Sequence, residues 1–197
     1  MNNKFLLITA AILIIAMSLV AQVTGTFTDS RDGKVYKTVM IGTQTWMAEN
    51  LAYKANSGCW AYDNDTNNVA KYGYLYNWET AKVVCPAGWH LPSDAEWTIL
   101  TKYLGGEDVA GGKLKSINLW LSPNKGATNE TGFTALPGGS CNGRGEFGDV
   151  GNGGHWWSST EYQKIGAWIR RMSYHSSNAT RSNYYKKGGF SVRCVKD

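Results

Sequence analysis

A near-continuous apolar run from Phe5 to Val20, interrupted only by Thr9 and Ser18, decides which part of this 197-residue chain is available to fold. Lys4 precedes it and small residues follow, so the three parts of a secretory signal stand in order. At about 16 residues the run falls short of the roughly 20 that span a bilayer comfortably. After Ala21 the sequence turns polar (Gln22, Thr24, Thr26, Thr28, Asp29), and no Lys/Arg cluster follows to stop transfer. Cleavage is expected after Ala21, with Gly25 as a second site. The competing reading is an uncleaved membrane anchor. No cysteine lies near the end of the run, so no lipid attachment is expected. The expected organisation is therefore a signal peptide over 1–21 and a single domain over 22–197, free in the periplasm, at the cell surface or secreted, with no membrane span after cleavage.

The 176 residues left after cleavage suit one domain with a sizeable core and are too few to suggest two. That mature chain carries 19 basic against 15 acidic residues. It has no run of five like charges, and its basic residues are not interleaved with aromatics as in a nucleic-acid groove, so no nucleic-acid partner is expected. Four cysteines survive cleavage: Cys59, Cys85, Cys141 and Cys194. An even number in an exported chain favours disulfides. No two are spaced as a CxxC pair, and His90, His155 and His175 are scattered, so neither a metal nor a cofactor is expected. Four cysteines allow three pairings. A bridge from Cys85 to Cys194 would close about 110 residues, worth up to roughly 4.7 kcal/mol on the chain-entropy model.

Twenty-three Gly, 9 Trp and 11 Tyr imply many turns and a core of large rings with polar edges. Val35 to Ile41 alternates and follows an Asp32-Gly33 turn, the pattern of a strand. Further strands are read at Trp46-Met47, Trp156-Trp157, Ala167 to Met172 and Phe190 to Val195. In the last, Phe190, Val192 and Cys194 share one face. Two helices are read. One runs from Asn77 to Val83. The other starts at the capping box Ser93-Asp94-Ala95-Glu96, presents Trp97, Leu100 and Leu104 on one face, and ends at Gly105-Gly106. From about 105 to 155 the Gly-rich chain suggests long excursions rather than a regular sheet.

Six stretches in order carry a resemblance: Trp46–Leu51, Tyr72–Trp78, Cys85–Trp97, Thr131–Gly139, Trp156–Glu161 and Gly189–Val195. Together they resemble the Fibrobacter succinogenes major paralogous domain, over about residues 27 to 197. That family is similar in turn to the C-type lectin-like fold, through a link shared with formylglycine-generating enzymes in the Leu91–Trp97 stretch. The resemblance implies an α+β, C-type lectin-like domain of mixed, mostly antiparallel strands, with two helices, neighbouring terminal strands and a long Gly-rich loop region. It also implies that Cys85 pairs with Cys194. Cys59 is then left to Cys141 or stays free, because the local partner that family members often carry is replaced here by Asn67-Asn68-Val69.

No enzyme is expected. A formylglycine-generating activity needs two close reactive cysteines near the C-terminal part of the fold, and only Cys194 is there. A triad from Ser158 or Ser159, His155 and Glu161 has no GxSxG elbow around either serine; the stretch reads better as a strand with buried tryptophans. His90, between Trp89 and Leu91, reads as a satisfied structural histidine. Calcium needs six to eight clustered oxygens, whereas Glu107, Asp108, Glu130, Glu146 and Asp149 are dispersed. Asp63-Asn64-Asp65 reads as a solvated turn.

The segment Tyr162 to Lys187 is the candidate binding surface. It holds six basic residues and no acidic one. Tyr with Ser, Asn, Gly and Arg is the palette of adaptable recognition surfaces, and Arg binds carboxylates bidentately. The nominated residues are Tyr162, Trp168, Arg170, Tyr174, Arg181, Tyr184 and Tyr185, for a glycan or protein ligand at the cell surface. The competing readings are an ordinary basic hairpin with Trp168 buried, and a structural part of a cell-surface complex. A further reading is a segment diversified by a retroelement, since the Tyr/Asn/Ser-rich stretch precedes Gly189-Phe190-Ser191-Val192-Arg193 as in diversified lectin-like domains.

Overall fold

The computed structural model describes residues 23–197; the signal peptide expected over 1–21 lies outside them. Two sheets form. The first has the strand order β1-β2-β3-β13-β6, with β1 at Thr24–Thr28, β2 at Val35–Ile41, β3 at Gln44–Met47, β6 at Trp89–His90 and β13 at Val195–Lys196. The second runs β11-β10-β9-β12-β5-β4, with β4 at Cys59–Trp60, β5 at Leu75–Tyr76, β9 at Gly153–Tyr162, β10 at Gly166–Ser173, β11 at Thr180–Tyr185 and β12 at Phe190–Ser191. A hairpin of β7 (Gly138–Cys141) and β8 (Phe147–Val150) joins it through a parallel contact of Gly139 with Gly154. The strand read over Phe190 to Val195 is in fact two. Between them the chain crosses from one sheet to the other, and the carbonyls of Val192 and Cys194 accept from Leu51 and Met47 N–H groups. The terminal strands are not neighbours: β13 pairs with β3 and β6, while β1 lies at the sheet edge beyond β2 and β3.

Four α-helices stand where two were read: α1 (Val69–Tyr72), α2 (Trp78–Val84), α3 (Asp94–Tyr103) and α4 (Glu107–Leu114). The capping box starts α3 as expected, with Ser93 Oγ accepting from Glu96 N and Glu96 Oε2 accepting from Ser93 N. Asp65 likewise caps a short 3₁₀ turn through Asn67 N, so the Asp63–Asp65 stretch is a local turn.

Adjacent residues on a strand point to opposite faces, and Trp156 and Trp157 use this to serve two cores. Trp156 belongs to a cluster with Trp46, Trp97, Leu100 and Phe133. Trp157 belongs to another with Tyr36, Tyr76, Trp78, Phe190, Val192 and Cys194. The polar edges of the rings are answered inside the protein. Trp78 donates to Ser158 O, Trp157 to Tyr76 O and Trp156 to Asn50 Oδ1, each at 2.7–2.9 Å. Trp46 is the exception, its buried Nε1 lacking a partner.

Cys85 at the end of α2 is bridged to Cys194, with Cα atoms 6.0 Å apart. Cys59 and Cys141 are free thiols, which corrects the second disulfide. Cys59 pairs with Tyr76, Tyr76 with Phe190, and Cys141 bridges Gly189. Two strands therefore separate the cysteines, on the order of 14 Å at normal strand spacing, beyond the roughly 7 Å a disulfide reaches.

Two buried cations organise the loops. Arg193 is fully buried and donates to Asn50 Oδ1 and to the carbonyls of Met47, Phe133 and Thr134. Lys115 is also fully buried, and its ammonium donates to the carbonyls of Lys125, Ser173 and Ser176 at 2.8–3.0 Å. Burial pushes its pKa down to about 8.

His90 is held between Glu96 Oε1 (2.7 Å) and Asp197 Oδ1 (2.6 Å), which ties the capping box to the C-terminus. Partial burial works against its charge, but the hydrogen bonds it donates to Asp197 and Glu96 outweigh it and raise its pKa above 6.5. A raised folded pKa contributes stability that is complete below the unfolded value and is lost as pH rises through the folded one. The thermal midpoint is therefore expected to fall as pH climbs above about 6.5, and to fall less in His90→Gln. Equal slopes in the two proteins would show that the pair does not couple to folding.

Candidate functional site

The segment nominated from sequence folds as the β9–β10 turn, β10, and the edge strand β11. In β11 five of six residues are exposed, and Ser182 is half-buried. The sheet places Gly166 opposite Tyr185 and Ala167 opposite Tyr184. The β9–β10 turn and the exit of β11 thus meet at one end of the sheet. The β7–β8 turn and the start of α2 arrive at the same end. Among them lies a cleft of about 770 Å³, lined by Asn77, Glu79, Asn142, Gly143, Arg144, Ile165 and the run Tyr184–Lys187. A smaller concavity of about 250 Å³, lined by Tyr162, Gln163 and Asn183, shares Ile165, Tyr184 and Tyr185 with it.

Those three shared residues form an apolar ridge: Ile165 is 62% exposed, Tyr185 65% and Tyr184 38%. Tyr184 is fixed by its ring against Phe190, centroids 5.0 Å apart, and lies so close to Gly188 that a Cβ there would sit 2.8 Å from the Tyr184 ring. Tyr185 meets Tyr184 edge-on at 6.0 Å and leaves most of its surface to solvent. Lys186 is committed: it pairs with Glu161, donates to Lys164 O and lies over the Trp78 ring. The Lys186 ammonium in turn holds the Glu161 carboxyl below its ordinary pKa.

The family model of the Fibrobacter succinogenes major domain matches residues 39–196, most of the chain and all of this site. The chain belongs to that family. No curated protein and no solved structure matches it.

In this member of the Fibrobacter succinogenes major domain family, the seven nominated residues divide into four groups. Tyr162, Tyr184 and Tyr185 line the concavities. Trp168 and Arg181 are engaged with each other, the guanidinium lying 3.3 Å over the ring, while Tyr162 abuts Trp168 from another side and Asp94 holds Arg181 at 2.8 Å. Tyr174 packs against the first core cluster. Arg170 is a correction. It is fully buried, hydrogen-bonded to Thr98 and ion-paired to Asp94 and Glu107, so it cannot meet a ligand. The reason is that α3 and α4 cover the Arg170 end of the face it shares with Trp168 and leave the Trp168 end open.

The structure does not assemble the triad considered from sequence. His155 Nε2 faces Asp149 at 3.3 Å with its ring stacked on Phe190, while Ser158 is buried and its Oγ accepts from Thr160 N. Burial raises the pKa of both free thiols. Among the described residues no three His, Cys, Asp or Glu side chains come together to hold a metal ion. The cleft-lining residues that sequence missed include Ile165 and the turn Asn142–Arg144. The only signal for the turn was an Asn-Gly-Arg-Gly stretch, which marks a hairpin without saying what it faces.

Proposed function

We propose that the protein is a non-catalytic binding module, exported from the cytoplasm and built on a C-type lectin-like fold, that recognises a glycan at the cell surface. The observation that carries this reading is the exposed Ile165–Tyr184–Tyr185 ridge beside a cleft of about 770 Å³. A cleft of that size lies within the roughly 300–1,000 Å³ of small-ligand sites. Aromatic rings offer broad, rigid apolar faces at small entropic cost, which suits the apolar face of a sugar ring. The lectin-like assignment is supported by the Cys85–Cys194 bridge between the end of α2 and the C-terminal strand segment. Export is supported by the apolar N-terminal run and by that disulfide, a bond of oxidising compartments.

A glycan array probed with the full chain tests the reading. Tyr185→Ala is expected to lose binding by about 10-fold or more, a typical consequence of truncating an anchor ring, with an unchanged thermal midpoint. Tyr185 is the informative position because Tyr184 also supports Phe190. Silence across the array, with the chain instead copurifying with envelope proteins, would replace glycan recognition by a protein-binding or assembly role.

A further inference from the structure

This inference rests on the glycan-binding reading and names the class of glycan. Three cations line the large cleft, Arg144, Lys186 and Lys187, against one acid, Glu79. Glu79 is taken by Lys82 at 2.8 Å, and Lys186 is taken by Glu161. Among the described residues Arg144 makes no ion pair, and its own turn supplies none. Asn142 Oδ1 accepts the N–H groups of Arg144 and Glu146, and the Glu146 carboxylate accepts from Asn142 Nδ2 at 2.6 Å, so the nearest acid in sequence is occupied. Lys187 is exposed and, among the described residues, makes no ion pair. Two uncommitted cations therefore stand beside an aliphatic and aromatic ridge.

We propose that the cleft binds an acidic polysaccharide, whose carboxylate or sulfate groups meet Arg144 and Lys187 while a sugar face lies on Tyr185. Arginine and lysine form strong charge-assisted hydrogen bonds with such anions. At Lys186 the backbone leaves no group free to pair with an extended peptide. Lys186 N–H donates to Ile165 O and Lys186 C=O accepts from Trp78 N–H, so both backbone groups of this residue are already paired.

Calorimetric titration of the full chain tests this with four probes: polygalacturonate, dextran sulfate, methyl-esterified polygalacturonate and poly-glutamate. The expected result is binding to one or both acidic polysaccharides, weakened by added salt and weakened about 10-fold or more in Arg144→Ala/Lys187→Ala, the scale of lost charged hydrogen bonds. Preference for polygalacturonate or dextran sulfate identifies carboxylate or sulfate as the group read. Both substituted side chains are exposed, so the variant keeps its fold. Equal binding of the methyl ester overturns the acidic assignment and leaves glycan recognition standing. Binding of poly-glutamate alone overturns both. Full binding by the double variant, or silence toward all four probes, overturns the site.

Discussion

Arg193→Ala is expected to lose about 3–5 kcal/mol of folding free energy, the scale of breaking a buried ionic cluster. Arg193 is wholly buried and, among the described residues, makes no ion pair. Its positive charge is answered by Asn50 Oδ1, three carbonyls and the Phe133 ring, 4.3 Å from the guanidinium carbon. Truncation strands those acceptors and leaves a cavity where the chain crosses between the sheets. Asn50 is itself a junction, since its Oδ1 also accepts from Trp156 and its Nδ2 donates to Tyr72 O and Ser191 Oγ. Against a total stability of about 5–15 kcal/mol, the loss is a large part of the whole. Urea titration would measure it, and a change below about 1 kcal/mol would show that the cluster contributes little beyond its packing.

Removing the disulfide as Cys85→Ala/Cys194→Ala is expected to have a comparable effect by a different route. The bridge spans 109 positions of sequence. Cross-linking a loop near 100 residues is worth about 4.7 kcal/mol on the chain-entropy model, acting on the unfolded chain. For a domain of this size that corresponds to roughly 10–20 °C in thermal midpoint. Cys194 also sits at zero exposure in the second core, so the double variant adds a small packing loss. A shift of only a few degrees would mean that the unfolded chain is already constrained between these positions.

Where side-chain pattern and local chemistry coincide, the fold was legible in the sequence. The alternation of β2 and the capping box of α3 are formed as read, and Phe190, Val192 and Cys194 do share one core. Helix α4 was not legible, because its sequence argues against a helix. It begins after Gly106 with no side-chain cap and carries Gly111 and Gly112 inside it. Each interior glycine disfavours a helix by about 1 kcal/mol relative to alanine. Tertiary packing overrides this. A Cβ at Gly111 would lie 2.2 Å from Asn178 O, and one at Gly112 would lie 2.4 Å from Gly126 O. The backbones of two loops rest directly on the helix, and only glycine admits them.

The binding surface was half legible for a related reason. Composition placed Tyr184 and Tyr185 at a surface, but it cannot separate an arginine that meets solvent from one roofed by two helices. Arg170 and Arg181 are paired directly across the β10–β11 ladder and share one carboxylate, Asp94, yet only Arg181 reaches solvent. The cysteines failed on the same ground. Their even number suggested two bridges, but only the arrangement of strands says which sulfurs can meet.

The ammonium of Lys115 gathers three carbonyls from chain segments around residues 125, 173 and 176. In that position it does what a captured ion does elsewhere, with one difference: it is joined to the polypeptide by covalent bonds. Its occupancy cannot be diluted, chelated or exchanged. These loops are thus kept gathered by a charge that the chain carries itself, whatever ions surround it.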